Sequence, residues 1–174
     1  MAYIERFQGS EDMKVDSKYR LSVPVDFRRV LEKQDPEWTA GKPARMVLLY
    51  GPRLDGHVEG YSIDSIAEIQ TALSTRPKAD AKSKALRNHY IHMAAQVTVD
   101  DTGRIVVPAK VRDTLGLGKD EYVTFLGDLK TFQLWRRDDY QSAIAAEEDV
   151  LGDDFDPDAE MDALLYGDTA PEVL

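Results

Sequence analysis

The sequence predicts an α+β protein built from two tandem β-rich units with short helices, related by a pseudo-two-fold axis within one chain. The first observation is an internal repeat: VDSKYRLSVPVDFRRVL, residues 15–31, aligns without a gap with VDDTGRIVVPAKVRDTL, residues 99–115. Seven of the 17 aligned pairs are identical. The second observation is that apolar residues around each copy recur with the spacing of short strands. A repeat of this kind predicts one supersecondary unit per copy.

Each copy should contain, in order, a strand, a four-residue turn, a strand, a short helix, two strands joined by a turn, and a second helix. The short helix should begin near Pro24 or Pro108, because a fixed φ and a missing amide are tolerated at the first helical position. The second helix should begin near Asp64 or Asp138, since aspartate is a favoured N-cap residue.

The chain divides by composition into four segments. Residues 1–75 are the first repeat, 76–95 a linker helix with a basic face, 96–145 the second repeat, and 146–174 an acidic, mobile tail. The tail holds 11 acidic residues and no Lys or Arg, whereas the whole chain carries a net charge of −10. Residues 1–145 therefore carry +1. A block of like charge with few aromatic residues is typical of a solvated tail. It either keeps the protein dispersed or competes with nucleic acid for a basic face.

Composition excludes several classes of function. The chain has no cysteine, so it has no disulfide, thiolate metal site or cysteine nucleophile. His89 and His92 are three residues apart but have no third ligand at metal spacing, and we expect them to pack or lie at the surface. No phosphate-binding loop, nucleophile elbow or dinucleotide motif is present. We expect a cytoplasmic protein that is not an enzyme, with no cofactor, metal or membrane segment.

The repeated Asp and Arg, four residues apart, are the strongest candidates for a binding site. Flanked by strands, Asp16 and Arg20 should face each other across a turn, as should Asp100 and Arg104. Each aspartate could then orient a guanidinium, which can bridge a phosphate or bind the O6 and N7 atoms of guanine. The alternative is an ion pair that only closes the turn, because exposed pairs of this type contribute little stability.

Other basic residues lie near the repeated motif and could contact the DNA backbone. The alternative for them is a solvated helix face. These secondary candidates are Lys18, Arg28, Arg29, Lys110 and Arg112.

The segments DSKYRLSVPVDFR and DDTGRIVVPAKVR resemble the paired DxxxR signatures of the MraZ family, and the resemblance covers about residues 5–145. It implies a swapped-hairpin barrel related to AbrB-like regulators, in which two halves of one chain pair as two chains do in AbrB. It also implies a ring-shaped homo-oligomer, associated with the nucleoid, that binds repeated double-stranded DNA elements. These elements lie upstream of the division and cell wall gene cluster, and binding is expected to repress that cluster and the protein's own gene.

Two features depart from the family pattern. Tyr19 occupies a position where the family usually has Gly, which Gly103 retains in the second copy. If the turn requires a positive φ, Tyr19 should be strained by about 1–2 kcal/mol, or else the first turn should be remodelled. The connection from Lys33 to Arg45 is also longer than its counterpart in the second copy.

A near-neutral body with few arginines should bind DNA weakly as a monomer. A closed ring would raise avidity by about 10²–10⁴ and would favour direct repeats, since neighbouring subunits face the same way. Two other functions stay open: an AbrB-like antitoxin or transition-state regulator that binds as a dimer, and a structural ring that binds proteins rather than DNA.

Overall fold

The computed structural model describes residues 5–167 and shows an α+β protein of two compact units, divided after Tyr140. The first-copy elements are β1 (Ser10–Lys14), β2 (Arg20–Ser22), α1 (Val25–Lys33), β3 (Arg45–Leu49), a 3₁₀ turn (Pro52–Leu54), β4 (Val58–Tyr61) and α2 (Ile63–Ser74). The chain then forms α3 (Ala81–Arg87) and a π-helical turn (Asn88–His92). The second-copy elements are β5 (Ala94–Thr98), β6 (Arg104–Val106), α4 (Ala109–Leu115), β7 (Tyr122–Asp128), β8 (Thr131–Arg136) and α5 (Arg137–Leu151), before α6 (Pro157–Tyr166).

Each strand of one copy pairs with a strand of the other copy. A six-stranded antiparallel sheet has the order β1-β7-β8-β4-β3-β5, and β2 and β6 form a separate two-stranded sheet. Every first-copy strand therefore has a second-copy neighbour: β1 pairs with β7, β2 with β6, β3 with β5 and β4 with β8. Since β1 corresponds to β5 and β3 to β7, the pairing repeats under exchange of the two copies, as a pseudo-two-fold axis requires.

The β2–β6 pair maps onto itself when the two copies are exchanged. Leu21 is opposite Ile105, and both side chains are almost fully buried. The hydrogen bonds that continue the pair are reciprocal: Val23 N donates to the carbonyl of residue 103 and Val107 N to the carbonyl of residue 19, each at 2.9 Å. Neither copy can pair or bury this strand alone, so the two copies form one core.

The core between the copies is rich in aromatic rings. Phe7, Phe27, Phe125 and Phe132 contact one another with ring centroids 4.8–6.1 Å apart. Gly60 lies directly against this cluster, because a Cβ there would come within 2.1 Å of the Phe132 ring. A glycine at this position therefore allows β4 to pass over a ring contributed by the second copy.

The helix starts agree with the sequence in the first helix of each copy and differ in the second. Pro24 and Pro108 directly precede α1 and α4, which confirms the proline-initiated helices. The predicted cap at Asp64 is wrong: Ser62 caps α2, accepting from Ser65 N at 3.2 Å, and Asp64 lies in the first turn. Asp138 likewise lies in the first turn of α5, which begins at Arg137. Ser62 takes the cap position because it is buried beside Gln34 and also donates a hydrogen bond to the Gln34 side chain.

Residues 76–95 do not form a single helix. Helix α3 covers seven residues, the π-helical turn follows, and β5 begins at Ala94. The expectation of one linker helix over residues 76–95 was wrong because the last residues of this stretch pair with β3, where Ala94 is opposite Leu49.

The second unit contains the end of α5 and all of α6. Asp156 caps α6, accepting hydrogen bonds from Asp158 N at 3.0 Å and Ala159 N at 3.4 Å. Across residues 5–167, no helix has both the length and the apolar character that crossing a membrane demands.

The long connection between α1 and β3 is closed by a buried ion pair. Arg45 donates to Asp35 through Nη2 at 2.6 Å and Nε at 2.9 Å, and the Asp35 side chain is 1% exposed. The hydrogen bonds from Arg45 hold the pKa of Asp35 below its usual value despite the opposing effect of burial. The extra residues of this copy are thus a folded loop tied to the strand that follows it.

We predict that Gly60→Ala lowers the free energy of unfolding by about 3 kcal/mol, because the new methyl group must displace the buried Phe132 ring. Urea unfolding followed by circular dichroism measures the change. Gly118→Ala is the matched control, since its Cβ would meet only ordinary contacts at 3.5 Å and beyond. Equal stability of the two variants would contradict this packing.

We predict that Asp35→Asn destabilises the fold at pH 7 by about 3 kcal/mol, because Arg45 loses its buried carboxylate partner. A carboxyl group whose pKa is lowered by folding stabilises the protein above its unfolded pKa, and this contribution disappears as the pH falls through the folded pKa. The stability difference between wild type and the variant should therefore shrink below about pH 4. Thermal unfolding from pH 3 to pH 7 measures it, with Glu37→Gln, 76% exposed, as control.

Candidate nucleic-acid interface

The first signature turn is held by one carboxylate. Asp16 Oδ1 accepts hydrogen bonds from Lys18 N at 2.8 Å and Arg20 N at 2.9 Å, and Oδ2 accepts from Arg20 Nε at 2.7 Å. These bonds, led by the one from the Arg20 amide, lower the pKa of Asp16 to about 2. Among the described residues the guanidinium contacts only through Nε, which leaves Nη1 and Nη2 available to a ligand.

The second turn holds its arginine differently. Asp100 Oδ1 accepts from Thr102 N, Thr102 Oγ1 and Arg104 N at 2.7–3.0 Å, and the pKa of Asp100 is lowered, chiefly by the bond from the Arg104 amide. Arg104 Nε donates to Thr102 Oγ1 at 2.9 Å and lies 3.8 Å from Asp100 Oδ2. A hydroxyl therefore mediates the Asp–Arg contact in this copy. The motif alone did not single out Thr102, although a short hydroxyl between the two charged residues was a detectable signal.

Both turns use a left-handed residue at the same position. Tyr19 has φ 58° and Gly103 has φ 79°, so the substitution of Gly by Tyr has not remodelled the first turn. The strain of about 1–2 kcal/mol expected for Tyr19 has a visible compensation. The guanidinium of Arg112 stacks 3.9 Å from the centroid of the Tyr19 ring, a cation–π contact that contributes about 0.5–2 kcal/mol.

Two of the secondary candidates cover the turns of the opposite copy. Arg112, from the second copy, packs on Tyr19 of the first turn. Arg28, from the first copy, lies against Gly103 of the second turn, where a Cβ would come within 2.4 Å of Nη1, and its Nε donates to Val23 O at 3.1 Å. Both arginines are partly buried, so they support the turns and are not members of a solvated helix face.

The remaining secondary candidates lie at the surface. Lys18 is exposed in the first turn. Arg29 is exposed on α1 and lies 3.5 Å from Asp26, an ion pair that adds little stability. Lys110 is exposed on α4, with Nζ 5.7 Å from the centre of the Tyr50 ring.

The β2–β6 pair brings the two signature arginines onto one face. Arg20 is opposite Val106, and Arg104 is opposite Ser22. Side chains alternate between the faces of a strand, and the buried residues at the middle of β2 and β6 occupy the inner face. Both arginines therefore project from the outer face, together with Ser22 and Val106, which is 64% exposed. An exposed ribbon with a guanidinium near each end can place two donor groups along one ligand.

Comparisons with known proteins identify the relatives of this chain. A family model described as "MraZ protein, putative antitoxin-like" matches residues 91–158. A protein of Ruegeria sp. (strain TM1040) is 38% identical over 156 residues, which is 87% of this chain and 92% of the relative. A protein of Cereibacter sphaeroides is 37% identical over 92% of this chain and 96% of its own length, and one of Rhodospirillum rubrum is 32% identical over 77% and 81%. All three are named "Transcriptional regulator MraZ". At this identity and coverage, the chain belongs to the MraZ family.

Proposed function

We propose that this protein is a sequence-specific DNA-binding transcriptional regulator that acts as a repressor. The observation that carries the proposal is the exposed β2–β6 ribbon, from which Arg20 and Arg104 project on the same face with their terminal nitrogens unbound within residues 5–167. The names of the relatives, all transcriptional regulators, support the same function. Arginine commonly donates hydrogen bonds to the edge of guanine, and a two-stranded ribbon fits the major groove of B-DNA.

In this proposal the aspartates orient the arginines, and the arginines contact the DNA bases or phosphates. Asp16 and Asp100 are ionised at neutral pH, as aspartates ordinarily are, and the amides and side chains of their own turns lower their pKa values further. Arg20 Nε donates to Asp16 and Arg104 Nε donates to Thr102, so each guanidinium is already oriented and loses less rotational freedom on binding. The two Nη groups of each arginine then donate to guanine O6 and N7 or to a phosphate.

The other basic candidates take supporting roles. Lys18, Arg29 and Lys110 are exposed and can make backbone contacts that set the register of the protein on DNA. Arg28 and Arg112 act through the turns that they cover.

The architecture that we propose is a pair of AbrB-like hairpins swapped into one barrel, in which two halves of one chain do what two chains do in AbrB. The reciprocal strand pairing and the matched amide-to-carbonyl bonds support it. We further propose that several chains close into a ring and bind direct repeats of double-stranded DNA, because neighbouring subunits in a ring face the same way. The expected targets are repeats on the nucleoid upstream of the division and cell wall gene cluster and of the protein's own gene.

The description of the family model gives a second candidate, an antitoxin-like function. An AbrB-like antitoxin binds DNA as a dimer of chains, whereas here β2 already has its partner, β6, within the same chain. The strand pairing therefore favours the ring regulator. A ring that binds only proteins is the remaining alternative, and it differs in having no salt-sensitive affinity for promoter DNA.

We predict that Arg20→Ala and Arg104→Ala each weaken binding to the upstream DNA by about 1–3 kcal/mol, and that the double variant loses sequence preference altogether. Fluorescence anisotropy with the native repeat and a scrambled duplex measures this. Lys130→Ala, at the exposed turn between β7 and β8, is the control and should bind like wild type. Native mass measurement should show the same oligomer for all variants.

One result would overturn the proposed function, and a second would reject only the ring arrangement. The first is a double variant that still prefers the native repeat. The second is a footprint that shows one inverted repeat instead of several direct repeats, which would reject the ring arrangement.

We predict that Thr102→Val weakens specific binding by about fivefold to tenfold, because Arg104 loses the hydroxyl that holds its Nε, a loss worth about 1 kcal/mol. Binding to the scrambled duplex should change little. Ser17→Ala, an exposed substitution in the first turn, is the control. If Thr102→Val and Ser17→Ala bind alike, Thr102 has no positioning role.

A further inference from the structure

A groove lined by cationic and apolar side chains lies next to the π-helical turn. Its lining residues are distant in sequence from the signature turns. It has a volume of about 480 Å³. Leu54, Ala85, Leu86 and Tyr90 supply its apolar lining. The charged lining comes from Arg53, Arg76 and Lys82, and no carboxylate is among the residues that line it.

The groove is preformed, and two of its three cations have no ion-pair partner in the described part of the chain. Arg76 is held in place by Ser83 Oγ and Asp80 Oδ2, both at 3.1 Å. Arg53 and Lys82 are exposed, and neither takes part in an ion pair within the described part of the chain. Arg87 Nη2 donates to the Leu73 carbonyl at 2.9 Å and so ties α3 to α2. Because of these contacts, a ligand would not have to order the groove before binding.

Helix α6 has the complementary pattern. Met161, Leu164 and Leu165 stand at positions i, i+3 and i+4, so they share one face of the helix. All three are exposed, Leu164 at 79%. On a helical projection, acidic residues flank this stripe on both sides: Glu160 on one, and Asp158 and Asp162 on the other. An apolar stripe between carboxylates fits an apolar lining beside cations.

We infer that the groove at the π-helical turn is a self-association site, which binds the acidic, amphipathic helix α6 of a second copy of this chain. The apolar stripe would cover the apolar lining of the groove, and the flanking carboxylates would face Arg53 and Lys82, the two cations without an ion-pair partner in the described part of the chain. This mode of binding is that of an amphipathic helix laid into a hydrophobic groove. It joins copies through the C-terminal part of the chain, and α6 lies almost wholly beyond the residues that the family model matches.

The test uses full-length chains and no DNA, so its outcome does not depend on the proposed regulatory function. The chain has no cysteine, and any disulfide must therefore come from introduced thiols. Lys82→Cys and Asp162→Cys are made in separate chains, mixed, allowed to exchange subunits and oxidised with copper–phenanthroline. Because each chain carries one thiol, a bond between the two kinds of chain can form only between copies. We expect a mixed disulfide dimer on a non-reducing gel.

Matched variants separate docking from random collision. Lys130→Cys replaces Lys82→Cys as the control, since it is an exposed lysine outside the groove, and should cross-link to Asp162→Cys far less. Adding Leu164→Asp to the Asp162→Cys chain should reduce cross-linking by about tenfold or more, because a buried leucine is lost. Val150→Asp, at an exposed apolar residue of α5, should not reduce it.

Three outcomes would overturn the inference. One is equal cross-linking from Lys130→Cys and Lys82→Cys. Another concerns one chain that carries both Lys82→Cys and Asp162→Cys. A disulfide that forms within this chain, but never between the singly substituted chains, would show that α6 binds only its own groove. The third is absence of the mixed disulfide. In that case a separate measurement identifies the alternative occupant, since weaker DNA binding by Arg53→Ala would make the groove a nucleic-acid contact.

Discussion

The antiparallel pairing of β2 with β6 is the interaction on which the rest of this structure depends. The pair is only three residues long in each strand, yet it carries Leu21 and Ile105 into the core and continues into reciprocal amide-to-carbonyl bonds. An unpaired edge strand with a buried leucine would expose apolar surface and unsatisfied backbone groups. Each copy therefore requires the other, and the two repeats behave as one folding unit.

Contacts between the two copies also support the signature turns. Each turn lies at the end of the ribbon and receives an arginine from the opposite copy, Arg112 over Tyr19 and Arg28 over Gly103. A left-handed tyrosine is tolerated because its ring gains a cation–π contact that a glycine could not make. The copies have thus diverged in the side chains that support the turns while keeping the backbone geometry of both.

Charge is divided unevenly along the chain. The net charge of −10 arises from the C-terminal 29 residues, and the remainder carries a small positive excess. The arginines of the turns act locally, in a body that does not attract polyanions over long distance. An assembly that presents several such weak sites would bind more tightly than one site, because linked contacts add avidity without new chemistry.

The sequence by itself determined the repeat, the proline-initiated helices and the Asp–Arg pairs, because these depend on local backbone preferences and on residues only a few positions apart. Tertiary structure decided which copy each strand joins, the cap at Ser62 and the end of the helical stretch before Ala94. It also decided that Arg28 covers a turn of the other copy. Those contacts join residues far apart along the chain or depend on side-chain packing, and no local pattern encodes them.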